Sequence, residues 1–282
     1  MRRENVPLSG LTTFRIGGPC DCLYIPDNVE RMTELLRGLD SAAVLGNGSN
    51  LLAADEGVRF PLVHTAGLDD VAFDGETVRA GGGTGLPELS RAAARRGLSG
   101  LEWASGIPGS LGGAVVMNAG AYGGEMSRVV TEALVFDGNG AVTVTEFDFG
   151  YRHSVFQTNP AYVVLEVTLR LFRDEPSGIA ARMEETRRAR NEKQPVHLPS
   201  AGSFFKRPPG HFAGTLIERC GLKGVSVGGA KVSEKHAGFI VNTGGASCGD
   251  VVRLAALVRE TVYRETGVEL EPEVRLLGDI HW

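Results

Sequence analysis

The order of apolar and polar positions predicts a chain that mixes helices with strands. Apolar residues at helical spacing predict a helix over residues 29–39, and further helices are predicted over residues 86–96, 213–220 and 250–266. The charged segment at residues 178–193 is also predicted to be helical. Short apolar or alternating runs predict strands at residues 42–45, 62–65, 78–80, 134–136, 142–145, 162–172, 239–241 and 274–277. Because hairpins and helices are intermixed without strict strand–helix–strand winding, the pattern favours the α+β class.

Residues at the ends of these segments support the predicted boundaries. Asp27 and Asn28 can cap the first helix, and Ser177 is placed to cap the third. Gly97 and Gly267 follow helical segments and predict where those helices end. The turn sequence DGNG at residues 137–140 lies between two apolar runs and predicts a hairpin.

Glycine is the unusual feature of the composition. The 282-residue chain holds 39 glycines, which is about twice the usual share. Many of them lie in clusters, at residues 46–48, 81–85, 106–124 and 221–229. Clustered glycines indicate places where the backbone turns tightly or approaches a ligand closely. The chain is longer than one hydrophobic core usually requires, so two or three lobes are expected.

Charge and cysteine content exclude several classes of protein. The net charge of −5 argues against a general nucleic-acid binder, and no apolar run is long enough for a membrane span. The N-terminal residues lack the apolar stretch of a signal peptide. The four cysteines form no CxxC pair and no zinc-like spacing with histidine, so no metal is expected. The simplest interpretation is a reduced, cytoplasmic protein.

Basic residues are concentrated in one stretch of this acidic chain. Between Arg182 and Lys235, eleven Lys or Arg residues stand against five Glu residues. A local positive excess on an acidic protein favours an anionic small ligand in that part of the chain. A solvated helix face with a chance bias in charge is the alternative interpretation.

Two glycine-rich segments are candidates for binding phosphate. The sequence GNGSN at residues 46–50 follows a predicted strand. It fits neither the Walker A pattern nor the G-x-G-x-x-G dinucleotide pattern, so a plain turn remains an alternative. The sequence GIPGSLGGAVVMNAGAYGG at residues 106–124 is more specific, because its glycines lead into a small-residue helical turn. Amide groups exposed at such a helix start suit a pyrophosphate.

Three side chains stand out from the residues alone. Arg152 lies in the aromatic-flanked sequence YRHSVF, where its guanidinium could hold a carboxylate or form a surface ion pair. Ser203 lies between Gly202 and two phenylalanines; a turn serine is the alternative to a reactive one, and no G-x-S-x-G pattern indicates a hydrolase. Glu273 precedes a predicted strand and shares a face with Arg275, which an ordinary ion pair would also explain.

Several sequence blocks resemble one protein family. They are PLSGLTTFRIGGPCD at residues 7–21, GNGSNLL at 46–52, SGIPGSLGGAVVMNAGAYG at 105–123, YRHSVFQ at 151–157, AGSFFKRP at 201–208, GLKGVSVGGAKVSEKHAGFIVN at 221–242 and LEPEVRLLG at 270–278. In this order they are similar to the UDP-N-acetylenolpyruvoylglucosamine reductases. The glycine-rich blocks resemble the FAD-binding signature of the vanillyl-alcohol-oxidase-like fold. The short connection between Phe156 and Tyr162 resembles the compact subtype, which lacks an extra tyrosine loop.

The resemblance implies a chemistry and a set of site residues. It implies NADPH-dependent reduction of the enolpyruvyl ether of UDP-N-acetylglucosamine to UDP-N-acetylmuramate through non-covalent FAD, in peptidoglycan precursor synthesis. Arg152 and Glu273 would stabilise the substrate carboxylate, and Ser203 would donate the proton. The implied FAD contacts are Gly46, Asn47, Gly48, Ser49, Asn50, Gly106, Ile107, Pro108, Gly109, Ser110, Gly112, Gly113, Asn118 and Gly120. The implied substrate contacts are Lys193, Lys206, Arg207 and Arg275, with Arg207 standing where relatives often have Asn.

The resemblance also implies three lobes. Residues 1–57 and 58–176 would bind FAD, residues 266–282 would return to the second of these lobes, and residues 177–265 would form a third α+β lobe that binds the UDP-sugar. The expected partners are the UDP-sugar and NADPH, with no nucleic acid, membrane or obligate protein partner. A same-fold FAD oxidase acting on a sugar or lactone is one alternative, and a non-enzymatic sugar-nucleotide-binding protein is another. Turnover with NADPH separates the three.

Overall fold

The computed structural model describes all 282 residues and is built from short helices and strands. The helices are α1 Val29–Gly38, α2 Leu86–Ala94, α3 Leu111–Val116, α4 Val155–Thr158, α5 Pro176–Lys193, α6 Ala213–Arg219 and α7 Cys248–Thr266. The strands are β1 Arg2–Pro7, β2 Pro19–Tyr24, β3 Ala43–Leu45, β4 Leu51–Ala53, β5 Leu62–His64, β6 Val71–Asp74, β7 Thr77–Gly81, β8 Leu98–Ser99, β9 Gly120–Ala121, β10 Gly124–Glu125, β11 Val130–Phe136, β12 Ala141–Val144, β13 Val163–Arg170, β14 Phe172–Arg173, β15 Ser226–Val227, β16 Ala230–Val232, β17 Ile240–Asn242 and β18 Arg275–Leu277. None of the helices combines the length and the apolar composition that crossing a bilayer requires.

The chain divides into two compact units, each assembled from separate stretches of sequence. Unit 1 comprises Met1–Arg3, Leu23–Asn47 and Phe60–Ala189, and unit 2 comprises Glu4–Cys22, Gly48–Arg59 and Arg190–Trp282. The chain passes from one unit to the other within β1, β2 and α5. These two units do not follow the boundaries of the three predicted lobes, and the assignment of ligands to lobes stays a prediction.

A five-stranded antiparallel sheet in the order β12-β11-β13-β7-β6 is the centre of unit 1. Strands β11 and β12 form the predicted hairpin, whose turn is closed by hydrogen bonds from two backbone amides to Asp137. Apolar side chains of the sheet pack with those of α2 and α3, among them Val78, Val167, Leu89 and Val115. Full burial of one such side chain is worth roughly 1.5–3 kcal/mol, so this layer accounts for much of the unit's stability.

The helix ends in unit 1 agree with the sequence pattern at one site and differ at another. The side chain of Asn28 accepts a hydrogen bond from the amide of Arg31 at 2.9 Å, which confirms the predicted cap of α1. Helix α5 begins at Pro176, so the prediction that Ser177 caps this helix is wrong. Proline favours the first helical position because its φ is already fixed and it has no amide hydrogen to satisfy there.

Helix α7 and the antiparallel sheet β15-β16-β17 form the centre of unit 2. The helix begins two residues earlier than its apolar pattern predicts, because Ser247 and Asp250 form a reciprocal capping box. The carboxylate of Asp55 also accepts hydrogen bonds from the first two helical amides, at 2.8 and 3.2 Å. Gly267 ends the helix as predicted, with a left-handed φ of 70°. Beside this core, the last strand, β18, pairs in parallel with β4.

A network of charged groups lies beside the core of unit 1. Arg182 forms ion pairs with Glu102 at 2.8 Å and with Asp174 at 2.5 Å. The Glu102 carboxylate also accepts hydrogen bonds from the Ser99 hydroxyl and the Gly100 amide. Burial would raise the pKa of Glu102, but these hydrogen bonds outweigh it and hold the pKa below its usual value.

This network predicts how acid affects the stability of unit 1. A carboxyl group whose folded-state pKa is lowered stabilises the fold above its unfolded pKa of about 4.3, and it loses that contribution as the pH falls through the folded pKa. We therefore expect Glu102→Gln to be less stable than wild type at pH 7 and to lose less free energy of unfolding on acidification. Urea denaturation at several pH values between 7 and 3 measures both quantities.

The exposed Glu88 provides the control, since it forms only a surface ion pair with Arg91. Such pairs contribute at most about 1 kcal/mol, so Glu88→Gln should leave the pH dependence as in wild type. Equal pH dependence in wild type and Glu102→Gln would contradict the assigned role of Glu102.

Candidate functional site

The first residue of the GNGSN sequence is tightly enclosed in unit 1. The carbonyl oxygen of Gly46 accepts a hydrogen bond from Nε2 of His64 at 3.1 Å. Because a carbonyl can only accept, Nε2 carries the hydrogen. Burial lowers the pKa of His64, and the opposing effect of the Gly46 carbonyl is smaller. A Cβ atom on Gly46 would lie 2.3 Å from Oγ of Ser110, so a larger residue at position 46 would require the Ser110 hydroxyl to move.

The last three residues of this sequence belong to unit 2 and present backbone amides. Gly48 has a left-handed φ of 57°, and a Cβ atom there would lie 2.2 Å from the carbonyl oxygen of Leu11. The amides of Gly48, Ser49 and Asn50 donate no hydrogen bond to another residue. A row of such amides is suited to an anion.

A third glycine-rich sequence, GGGTG at residues 81–85, joins β7 to α2 in unit 1. A Cβ atom on Gly83 would lie 1.8 Å from the backbone oxygen of Thr65. The hydroxyl groups of Thr65 and Thr84 are buried and have no hydrogen-bond partner in the chain. Buried polar groups are almost always satisfied, so two orphaned hydroxyls beside such a loop indicate a ligand.

These features fit the FAD that the sequence resemblance implies. A dinucleotide carries phosphate and hydroxyl oxygens that need donors close to the backbone, and glycine allows that close approach. His64, Thr65 and Thr84 were not predicted as site residues. The GGGTG cluster was the only signal in the sequence that could have identified this loop, since a single His-Thr pair at a strand end has no distinctive pattern.

The start of α3 is bonded to this same loop. The amides of Leu111 and Gly112 donate to the carbonyl oxygens of Thr84 and Gly82, each at 2.8 Å. These two amides are therefore satisfied within the chain, while the amides of Ser110 and Gly113 donate to no other backbone group. The segment 106–110 before the helix has exposed Pro108 but buried Gly109 and Ser110.

Arg152 lies in a tight turn of unit 1. The backbones of Gly150 and His153 exchange two hydrogen bonds, at 3.1 and 3.2 Å, which makes Tyr151 and Arg152 the central residues of the turn. Arg152 has a left-handed φ of 54°, and its guanidinium lies 5.3 Å from the centre of the Tyr151 ring. The turn thus places a half-buried arginine beside an exposed aromatic ring.

Two of the predicted cofactor residues follow α3. Asn118 is 3% exposed, and its side chain donates to the Gly150 carbonyl oxygen at 3.0 Å and accepts from the Ser127 amide at 3.0 Å. Gly120 begins the short hairpin of β9 and β10, where a Cβ atom would lie 2.9 Å from the backbone oxygen of Gly124. Both positions therefore have structural reasons for their residue type within the chain.

Ser203 and Glu273 are brought together in unit 2 by backbone pairing. Ser203 is exposed and follows Gly202, whose φ is 80°. The amide of Glu273 donates to the carbonyl oxygen of the buried Phe204 at 2.8 Å. The side chain of Asn50 donates to the Glu273 carbonyl oxygen at 3.1 Å, so the GNGSN sequence and Glu273 are in direct contact.

The predicted substrate residues have different surroundings. Lys206 forms an ion pair with Glu271 at 2.5 Å, and the Arg207 guanidinium stacks 4.4 Å from the centre of the Phe212 ring. Lys193 is the exposed last residue of α5, and the Arg275 amide donates to the Asn50 carbonyl oxygen at 3.0 Å.

The basic stretch carries less free positive charge than its composition indicates. Five of its basic side chains pair with carboxylates, namely Arg182, Arg187, Lys206, Lys223 and Lys231. The attraction of this stretch for an anion therefore depends on individual residues rather than on its total charge. The chain has no group of three or more His, Cys, Asp or Glu side chains that could hold a metal ion.

Two family models match the chain. The model described as "FAD binding domain" matches residues 19–146, and the model described as "UDP-N-acetylenolpyruvoylglucosamine reductase, C-terminal domain" matches residues 194–277. The solved structure of UDP-N-acetylenolpyruvylglucosamine reductase from Thermus caldophilus is similar with a TM-score of 0.85 and 40% identity, covering 98% of each chain. These matches confirm the predicted fold class.

Curated proteins are similar over the same length. The UDP-N-acetylenolpyruvoylglucosamine reductase of Caldanaerobacter subterraneus is 44% identical over 282 residues, which cover 98% of this chain and 93% of that protein. The protein of the same name from Clostridium botulinum is 45% identical over 280 residues, which cover 97% of this chain and 91% of that protein.

The close approach at Gly83 predicts a loss of flavin on substitution. In Gly83→Ala, the new methyl group would overlap the Thr65 backbone, so the loop must shift. Overpacking of this kind costs about 1–3 kcal/mol, which corresponds to an affinity for FAD roughly 5- to 150-fold weaker. The ratio of flavin to protein absorbance after desalting, followed by titration with FAD, measures the change.

Gly38→Ala is the matched control, because a Cβ atom there meets nothing within 4 Å. It should keep its flavin. Wild-type affinity for FAD in a correctly folded Gly83→Ala protein, judged by circular dichroism, would contradict the placement of the cofactor at this loop.

Proposed function

The chain belongs to the UDP-N-acetylenolpyruvoylglucosamine reductase family, and from this premise we propose how its residues carry out the family's reaction. It is an FAD-dependent oxidoreductase that uses NADPH to reduce the enolpyruvyl ether of UDP-N-acetylglucosamine to UDP-N-acetylmuramate in peptidoglycan synthesis. The similarity over the full length, which includes the reductase C-terminal domain, carries this assignment. It favours the reductase over a same-fold oxidase or a non-enzymatic sugar-nucleotide-binding protein.

The glycine-rich loops are proposed to hold the cofactor. FAD, when bound, supplies the hydride that adds to the terminal alkene carbon, with NADPH as its source. The unbonded amides of Gly48, Ser49 and Asn50 and the orphaned hydroxyls of Thr65 and Thr84 support this placement. We also retain the other predicted contacts, which are Gly46, Asn47, Gly106, Ile107, Pro108, Gly109, Ser110, Gly112, Gly113, Asn118 and Gly120.

Arg152 is proposed to bind the substrate carboxylate. Addition of hydride to the alkene leaves negative charge on the carbon beside that carboxylate, and the charge spreads onto its oxygens. A guanidinium can donate two parallel hydrogen bonds to a carboxylate, so it would stabilise the charge as it develops. The tight turn at Gly150–His153 supports this role, because it holds the Arg152 backbone in one conformation.

Ser203 is proposed to donate the proton to that same carbon. Its hydroxyl group is exposed, and the pairing of Phe204 with Glu273 holds the backbone beside it. Glu273 is proposed to help stabilise the substrate carboxylate as negative charge develops on it. A positioned general acid contributes typically about 100- to 10,000-fold to the rate.

The C-terminal part of the chain is proposed to bind the UDP-sugar, through Lys193, Lys206, Arg207 and Arg275. Lys206 would exchange Glu271 for a substrate phosphate, and Arg207 would keep its stacking on Phe212 while its outer nitrogens donate. We assign the FAD-binding lobes to residues 1–57 and 58–176, with residues 266–282 added to the second, and the substrate lobe to residues 177–265. The short connection between α4 and β13 supports membership of the compact subtype.

The cytoplasm is the proposed location. All four cysteines are free thiols, as expected in a reducing compartment. Burial raises the pKa of Cys248 to about 12, which makes this thiol unreactive at neutral pH. The proposed partners are the UDP-sugar and NADPH alone.

The role of Arg152 predicts selective damage to one half of the reaction. Arg152→Ala should bind FAD and be reduced by NADPH at the wild-type rate, because neither step involves the substrate carboxylate. Reoxidation by the enolpyruvyl substrate should slow by about 100-fold or more, in line with the loss of an electrostatic donor to developing charge. Stopped-flow absorbance separates the two steps. Arg152→Lys, which lacks the two-pronged geometry, should recover only part of the rate.

The role of Ser203 also predicts normal flavin reduction with slow reoxidation, and here a cysteine should restore part of the rate. Ser203→Ala preserves the small volume at an exposed position, so the protein should fold and be reduced by NADPH normally. Its reoxidation by the enolpyruvyl substrate should fall by about 100-fold or more. Ser203→Cys should recover part of this loss, because a thiol is a stronger acid than a hydroxyl. Normal reoxidation in Ser203→Ala would show that Ser203 is only a turn residue.

A further inference from the structure

The turn that carries Arg152 is held by side chains that have no assigned part in binding the substrate carboxylate. Arg152 has a left-handed φ of 54°, which L-residues adopt only when their surroundings enforce it. The two hydrogen bonds between Gly150 and His153 close the turn, but they do not join it to the core, and its central residues are exposed (Tyr151) and half-buried (Arg152). Further contacts must therefore fix the turn's position relative to the core of unit 1.

Gln157, in α4, supplies one of these contacts. Its Nε2 atom donates to the carbonyl oxygen of Arg152 at 2.8 Å and to the carbonyl oxygen of Val116 at 3.0 Å. One amide group thus joins the backbone of the proposed catalytic arginine to the last residue of α3. Ser154, which is fully buried, donates to the same Val116 oxygen at 2.7 Å.

Asn118 supplies the second contact, from the other side of the turn. Its Nδ2 atom donates to the carbonyl oxygen of Gly150, while its Oδ1 atom accepts from the amide of Ser127. The residue is 3% exposed and has a left-handed φ of 40°, a conformation that Asn tolerates better than most residues. The buried side chain of Asn118 therefore has partners on both of its polar atoms within the chain.

We propose that Gln157 and Asn118 are positioning residues for Arg152, and that they fix its guanidinium against the substrate carboxylate by tying its turn to the end of α3. The proposal rests on the proposed function of Arg152 in binding that carboxylate. It gives the Asn118 side chain a role toward the substrate, while any contact of this residue with FAD would come through its backbone. Neither residue touches the reacting atoms in this account.

The geometry explains why both residues should be amides. Each must donate a hydrogen bond to a carbonyl oxygen, and a carboxylate of the same shape would instead be repelled by it. A displacement of about 1 Å at a reacting group can cost about 100-fold in rate, so a small shift of the turn should be measurable. A shift confined to this turn should leave the flavin loops and the NADPH step unaffected.

Gln157→Glu is the sharpest variant, and Asn159→Asp is its matched control. Asn159 undergoes the same change from amide to acid next to α4, but its side chain bonds only to Val155 and Thr158. We expect Gln157→Glu to keep its flavin and its NADPH reduction rate, and to be reoxidised by the enolpyruvyl substrate at least about tenfold more slowly. Asn118→Asp should behave in the same way. Asn159→Asp should reoxidise within about twofold of wild type.

A double-mutant cycle separates positioning from a general structural effect. If Gln157 acts through Arg152, then adding Gln157→Glu to Arg152→Ala should slow reoxidation by less than about twofold beyond Arg152→Ala alone. Losses that multiply in the double variant, or normal reoxidation in Gln157→Glu, would overturn the proposal while leaving the role of Arg152 intact. Normal reoxidation in Arg152→Ala would instead overturn the proposed function itself.

A folding defect is distinguished by a second variant and a second measurement. Gln157→Met removes the donor without adding charge and is close to glutamine in volume. If Gln157→Glu loses its flavin, the cycle is carried out with Gln157→Met, for which the same non-additive slowing is expected. Flavin content and the midpoint of thermal unfolding should match wild type in the variants compared. If reoxidation slows only in variants that have lost flavin or have a lower unfolding midpoint, the proposal is overturned.

Discussion

The hydrogen bonds to backbone groups at the two ends of α3 are the constraint on which the candidate chemistry of unit 1 depends. At its start, Leu111 and Gly112 donate to the carbonyl oxygens of Thr84 and Gly82. At its end, the Val116 carbonyl oxygen accepts from Ser154 and Gln157, which hold the turn of Arg152. A helix of only six residues would be unstable alone, so these bonds and its buried apolar face keep it in place.

The packing of α3 and its neighbouring loop explains why glycine is required at positions that need not contact a ligand. A Cβ atom on Gly112 would lie 3.0 Å from the Gly82 carbonyl oxygen, and one on Gly83 would overlap the Thr65 backbone. The glycines bring backbone segments of the protein against one another, and some donors beside them are left without a partner in the chain. A glycine cluster can therefore serve close packing between backbone segments, ligand binding or both. For this reason the clusters in the sequence did not show which of the two to expect.

Sequence predicted those elements whose signals are local. The caps at Asn28 and Gly267 and the DGNG turn gave correct helix and hairpin positions, because each depends on neighbouring residues. Strand β1 was not predicted, since its mostly exposed positions show no apolar alternation. The start of α7 was misplaced because a capping box is set by polar residues that precede the apolar pattern. The pairing of β18 with β4 joins distant segments and has no local signal.

The sequence predicted which residues belong to the candidate site, but it did not predict the contacts between them. Arg152, Ser203 and Glu273 came from sequence blocks, whereas the bonds from Gln157 to Arg152 and from Glu273 to Phe204 depend on the folded chain. In both units the proposed reactive side chain is accessible while its backbone is held by buried neighbours. Such a side chain can contact a substrate and still keep its position, because the hydrogen bonds that hold it are made by the neighbouring backbone. On the proposed roles, the residues that control the reaction extend beyond those that touch the substrate, to the amide side chains and aromatic rings next to each turn.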